Sequence, residues 1–234
     1  MNSGTRDILA EVYLDPLLKT LHLSGIALIE CQGQESIVQS ARDFPGDGSF
    51  FEFEIKFAGK LVGRLDYQTQ SDLPLNQTQL MSVKAVADQV AAFLAWTEMA
   101  WEPRLEILQI LRDLKRKNSG FDWIGLYRGR ASDQELILSV FIGAPTEHTH
   151  IPVSSGICGA AIREDRTLNI ANVRADPRFI ACSLSTQSEI VVPIRNAEGI
   201  AVAEIDIDSN KLDAFTAIKT AQVEASALKI SKLL

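Results

Sequence analysis

Residues 188–208 read SEIVVPIRNAEGIAVAEIDID, and this stretch decides the fold. Glu189 to Arg195 is an apolar run of strand length. Ala197-Glu198-Gly199 is a turn signal, and Ile200 to Asp208 is a second strand, so the segment predicts an antiparallel hairpin. Asp206 and Asp208 are two residues apart and share one face of the second strand. Two carboxylates on one face of a central strand repel and resist burial, so they need a cation, a proton or a ligand. A turn after Asp208 would expose that residue harmlessly, so the demand falls harder on Asp206. Glu189 adds a third acid at the start of the apolar run.

Outward from the hairpin, the second half of the chain supplies the rest of a sheet and its helices. Phe121 to Tyr127 is a strand, Arg128 to Asp133 a polar turn, and Glu135 to Ile142 another strand. A loop containing Pro145 and Pro152 leads to Gly156-Ile157-Cys158-Gly159, which opens a short helix. Leu168 to Val173 reads as a strand and Arg174 to Thr186 as a loop. Asp213 to Leu234 is a closing amphipathic helix with Phe215, Ile218, Ala221, Ala225 and Leu228 on one face. The fold class expected is α/β in the α+β sense, an antiparallel sheet with flanking helices.

The first half is shorter. Asp7 to Leu21 has helical spacing, Gly25 to Glu30 is a buried strand, and Phe51 to Lys56 and Lys60 to Tyr67 form a hairpin about Ala58-Gly59. Asn76 is the N-cap of a long helix from Gln77, with Leu80, Val83, Ala87, Val90 and Leu94 as its apolar stripe. Pro103 lacks the amide hydrogen a helix interior needs, so the helix kinks there or restarts with Pro103 in its first turn. The organisation expected is a shortened α/β domain over 1–76, connecting helices over 77–117 and a second domain over 118–234. Phe53 to Asp66 and Val192 to Asp206 share a layout, which reads either as a weak internal repeat or as the likeness of any two hairpins.

Composition excludes several classes. The net charge is −7 and the pI about 5.1, which gives no electrostatic reason to approach nucleic acid or an anionic membrane. The basic run Lys115-Arg116-Lys117 complements a helix C-terminus. Met1 to Tyr13 carries Arg6, Asp7 and Glu11 and has no continuous apolar core, so it is no secretory signal. No apolar stretch reaches the length of a membrane span. Three cysteines, Cys31, Cys158 and Cys182, are too few for a disulfide scaffold and fit a reducing compartment, so the expected location is cytoplasmic.

Cys182 sits in a loop of small and polar residues, either as filler or with an exposed, reactive sulfur. Cys158, between two glycines at a helix N-terminus, is either a thiolate favoured by the helix dipole or a small hydrophobe tucked inward. His148 and His150 pair at metal-ligand spacing, but no third ligand follows, so a solvated loop is the expectation and no metal is expected.

Taken in order, Phe121-Asp122-Trp123-Ile124-Gly125-Leu126-Tyr127, Ile151-Pro152, Gly156-Ile157-Cys158-Gly159, Ile180-Ala181-Cys182, Ser188 to Pro193 and Asp206 to Ser209 resemble the free methionine-(R)-sulfoxide reductases, which are GAF-domain enzymes. The resemblance covers somewhat under half the chain. It implies a GAF domain over 118–234, with the first 76 residues a shortened GAF-like domain. It implies Cys182 as the nucleophile attacking the sulfoxide sulfur and Cys158 as a second redox cysteine. Glu189, Asp206 and Asp208 would bind the substrate amino group and help remove the oxygen, and Trp123 and Tyr127 would wall the pocket. No cofactor is implied; an external thiol such as thioredoxin or glutathione would be the reductant, in a homodimer acting under oxidative stress. The family's usual third cysteine, in the loop before Ile151-Pro152 and separated from Cys158 by nine residues, is His148 here. Either Cys158 or an external thiol resolves the sulfenic acid, or the domain is a non-catalytic GAF sensor that keeps the pocket.

Overall fold

The computed structural model describes residues 8–32, 35–42, 50–70, 73–180 and 183–234. The chain divides into two compact units, Met1–Leu105 and Glu106–Leu234.

The first unit opens with a π-helical turn, Ala10–Leu14, running into helix α1, Asp15–Leu21. Four strands follow: β1 (Leu23–Gln32), β2 (Glu35–Arg42), β3 (Phe51–Phe57) and β4 (Lys60–Thr69), ordered β2-β1-β4-β3 and antiparallel at every pairing. The β3–β4 hairpin turns at Ala58 and Gly59, both at positive φ (47° and 78°). Two consecutive left-handed residues make the tight turn whose twist matches paired strands. Strand β2 was not foreseen: Glu-Ser-Ile-Val-Gln-Ser-Ala-Arg is more than half polar and runs along the sheet edge, where one side of the ladder faces no partner strand among the described residues.

Helix α2, Gln77–Ala95, begins in a capping box. The Asn76 side chain accepts from the Gln79 amide at 3.0 Å, and the Gln79 side chain accepts from the Asn76 amide at 3.0 Å. Val83, Ala87, Val90 and Leu94 are buried, as their spacing requires. The chain breaks helix at Trp96 and restarts as α3, Trp101–Lys117, with Pro103 in the first turn, where its missing amide hydrogen costs nothing. Buried Arg104 closes this corner: its Nη1 donates to the Phe93 carbonyl at 3.0 Å and its guanidinium lies 4.6 Å from the Trp101 ring centre.

The second unit is built on a six-stranded antiparallel sheet, ordered β7-β6-β5-β10-β9-β8. Its strands are β5 (Trp123–Arg128), β6 (Glu135–Ile142), β7 (His150–Pro152), β8 (Leu168–Ile170), β9 (Ser188–Arg195) and β10 (Ala201–Ser209). Helix α4, Gly156–Glu164, packs on β7, β9 and β10, and helix α5, Ala217–Ser231, packs along β9. Strands β9 and β10 are buried along nearly their whole length, so the fold covers both of their faces. Ile190, Val192, Ile205 and Ile207 occupy one face. Full burial of each contributes about 1.5–3 kcal/mol, which offsets the cost of the acids on the other face.

The face of α5 differs from the expectation. Ile218 is 75 % exposed and Leu228 69 %, Ala221 and Ala225 are exposed as well, and the helix buries Val223, Ser226, Ala227 and Ile230 instead. Two apolar stripes run along this helix, and contact with β9 selects the second.

Candidate functional site

Strand β10 carries Glu204, Asp206 and Asp208 on one face, and its neighbours complete the site. Asp208 stands opposite Trp123 of β5 and Glu189 of β9; Asp206 stands opposite Gly125 and Val191; Glu204 stands opposite Tyr127 and Pro193. The expected acids Glu189, Asp206 and Asp208 therefore meet, and all are buried. Asp208 is not released by the turn that follows it. Cys158, in the first turn of α4, is buried over the same face, and its sulfur, a Glu189 carboxylate oxygen and an Asp206 carboxylate oxygen all lie within 4.8 Å of one another.

Burial dominates the electrostatics. It raises the Glu189 carboxyl well above its ordinary range, and the charges of Asp206, Asp208 and Glu204 raise it further. Asp208 is raised by burial, then by Asp206 and Asp122. Glu204 is raised by burial and by Asp206, with the nearby Cys158 thiol acting in the opposite direction. Asp206 is pushed up to about 7 by burial, again eased by Cys158. Without a cation the burial favours the neutral, protonated form of these acids; a cation brought among them would favour release of their protons.

Glu204 was missed in the sequence, although its place two residues before Asp206 was the signal for it. Both of its carboxylate oxygens and Asp206 Oδ1 are buried with no hydrogen-bond partner of ordinary geometry among the described residues. Unsatisfied buried carboxyl groups are costly, and their persistence marks a site that awaits a donor.

Of the two aromatics expected to wall the pocket, Trp123 lines a cavity beside the acids and Tyr127 is buried next to it. Trp123 stacks on Phe141, ring centres 5.6 Å apart, and stands 6.4 Å from the Tyr127 ring. Its indole N–H donates to the Ala144 carbonyl at 3.1 Å. The indole lies over Gly125, where an added Cβ would stand 2.6 Å from Trp123 Cζ3, so only glycine leaves room for it. Tyr127 is fully buried, and its hydroxyl donates to the His148 carbonyl at 2.8 Å, fixing the loop that carries both histidines.

Two cavities flank the acids. One of about 50 Å³ is lined by His148, His150, Ile157, Cys158, Ile180 and Glu189. The other, about 120 Å³, is lined by Asp122, Trp123, Ser183, Thr186, Asp208 and Asn210. His148 and His150 are thus half-buried beside Cys158, whereas a solvated loop was expected; His150 lies in β7, a three-residue strand ending in Pro152. Cys182, the expected nucleophile, lies outside the described residues. Among the described residues just before it, Arg178 makes three side-chain contacts. Arg178 Nε and Nη2 reach the two Asp176 carboxylate oxygens at 2.9 and 2.7 Å, and its Nη1 reaches Glu164 of α4 at 3.1 Å. Such ion pairs add little stability at a surface but fix geometry.

Comparison with known proteins agrees with this architecture. Residues 103–233 match the family model described as GAF domain. The protein YtsP of Bacillus subtilis is 36 % identical over 113 residues, 48 % of this chain and 68 % of that protein. The free methionine-R-sulfoxide reductase of Saccharomyces cerevisiae is 35 % identical over 112 residues, 47 % of this chain and 62 % of that protein. The solved structure of the type II free methionine-R-sulfoxide reductase from Thermoplasma acidophilum superposes with a TM-score of 0.53 at 36 % identity, covering 56 % of this chain and 91 % of that one. The chain spans about two thirds of the length of these curated relatives. With more than half of its residues inside the family model and an antiparallel sheet flanked by helices, the chain belongs to the GAF domain family.

Proposed function

We propose that the Glu106–Leu234 unit reduces free methionine-(R)-sulfoxide to methionine at the expense of thiols. The observation that carries this reading is the convergence of Glu189, Glu204, Asp206 and Asp208 with Cys158 on one buried face beside Trp123. A substrate with an ammonium group satisfies such a cluster, and the indole offers an apolar wall to the methylthio side chain. The named reductases of yeast and Thermoplasma among its relatives supply the substrate class.

In this reading the thiolate of Cys182 attacks the sulfoxide sulfur. A carboxylic acid of the cluster gives its proton to the departing oxygen; Asp206, at about 7, is half protonated at neutral pH and suits the task. The protonated oxygen then passes to the Cys182 sulfur as its bond to the substrate sulfur and the transient sulfur–sulfur bond both break, so that methionine leaves and Cys182 remains as a sulfenic acid. A second thiol, that of Cys158 or of an external molecule, condenses with it to a disulfide and water. Two electrons from a thioredoxin-type or glutathione-type reductant then restore both thiols. Ile180 and Ser183, two residues before Cys182 and one after it, line the two cavities beside the acids, which supports the assignment of Cys182.

His148 stands where the family's third cysteine is usual, and it lines the cavity beside Cys158. That substitution favours a second reading, a GAF sensor that binds the same ligand without turnover. Purified full-length protein, given free methionine-(R)-sulfoxide and a dithiol, separates the two. Turnover that disappears in Cys182→Ser supports the reductase; tight binding with no turnover supports the sensor. Domain boundaries at 1–76, 77–117 and 118–234, pairing as a homodimer and a cytoplasmic setting belong to the same proposal. Among the described residues no helix is long and apolar enough to cross a membrane.

A further inference from the structure

We infer that Cys158, Glu189 and Asp206 form a binding site for a thiophilic divalent cation of the zinc and cadmium type. The three donors come from α4, β9 and β10, so no sequence spacing announces them. Their sulfur and oxygen atoms lie within 4.8 Å of one another, and all three residues are buried. In a tetrahedral site with metal–sulfur bonds of about 2.3 Å and metal–oxygen bonds of about 2.1 Å, ligand atoms stand about 3.5 Å apart. Side-chain rotations of about 1 Å would close the triad onto an ion.

A second observation points to the same ligand. Glu204 is fully buried, stands next along β10 from Asp206 and lies beside Cys158, yet neither of its oxygens has a hydrogen-bond partner of ordinary geometry among the described residues; Asp206 Oδ1 has none either. These atoms face a place where positive charge or a donor belongs. An ammonium group would satisfy the oxygens but gain little from the sulfur. A dication uses both, binding a thiolate and two carboxylates together, a mixed donor set that favours zinc or cadmium over magnesium or calcium. Glu204, buried beside Cys158 and Asp206, is placed as a supporting outer group of the site. Cys158 and Glu189 also line the cavity that holds His148 and His150, so the fourth coordination position opens there, to water or a histidine.

The test uses the full-length chain carrying Cys31→Ser and Cys182→Ser, which leaves Cys158 as its one thiol. Anaerobic titration with cadmium chloride should give a near-ultraviolet sulfur-to-cadmium charge-transfer band that saturates at one equivalent. Adding Cys158→Ser should abolish the band. Asp206→Asn or Glu189→Gln, each nearly isosteric, should keep the band and weaken binding at least about ten-fold, in the range seen when supporting groups of metal sites are lost. No band in the double variant overturns the site, and so does a band whose affinity ignores both carboxamide substitutions. The outcome is independent of the reductase reading: a band without turnover upholds this site, and turnover without a band removes it.

Discussion

Replacing Asp206 by asparagine should stabilise the protein at alkaline pH, because the native carboxyl is held in an environment that resists its charge. Burial raises this carboxyl from the ordinary 3.8 to about 7. A group whose folded value exceeds its unfolded value binds its proton more tightly when folded, so stability is full below about 3.8 and is lost as pH rises toward 7. A rise of about three pH units, at about 1.4 kcal/mol each, corresponds to about 4 kcal/mol above pH 7. Asparagine keeps the shape and never ionises. The advantage of Asp206→Asn over the parent should therefore grow by about 2.5 kcal/mol between pH 5 and pH 8, roughly 70-fold in an equilibrium constant. Removing the Asp206 charge also relieves Glu189, Glu204 and Asp208, which acts in the same direction. Hydrogen exchange of the β10 amides, corrected for the intrinsic pH dependence, reads this out for the second unit alone. Equal protection in the two proteins across that range, or a variant less protected at pH 8, would refute the picture of a buried, proton-holding cluster.

Gly125→Ala should push the Trp123 ring off the sheet, since the new methyl group occupies its place. Overpacking of this kind costs about 1–3 kcal/mol. A changed near-ultraviolet circular dichroism band and weaker sulfoxide binding are expected; an unaltered spectrum would show that the ring has room. Tyr127→Phe removes the donor to the His148 carbonyl and should cost about 1 kcal/mol. Exchange of amides 146–150 should quicken, and unchanged protection there would mean that the loop is held by other contacts.

The hairpin of residues 188–208 was legible because period-two spacing, a glycine turn and a long apolar run agree, and its acids carried their own warning. Asn76 and Pro103 declared their helix boundaries through capping chemistry and the missing amide hydrogen. Strands β2 and β7 were not legible: one is more than half polar at a sheet edge, and the other has three residues, the last of them proline. The buried face of α5 could not be read because the helix carries two apolar stripes, and packing against β9 chose between them. The meeting of Cys158 with Glu189 and Asp206 is likewise tertiary, since three elements supply one residue each. Glu204 was readable from its spacing to Asp206, but it sits between alanine and isoleucine in a strand that otherwise reads as core.

In the proposed reaction the buried carboxylates recognise the ammonium group of a free amino acid. Calorimetric titration of Cys182→Ser protein with free methionine-(R)-sulfoxide and with its N-acetyl derivative tests it without turnover. A hydrogen bond between charged partners contributes about 1.5–3 kcal/mol, so the N-acetyl compound should bind at least about ten-fold more weakly. Equal affinity for the two would contradict the account.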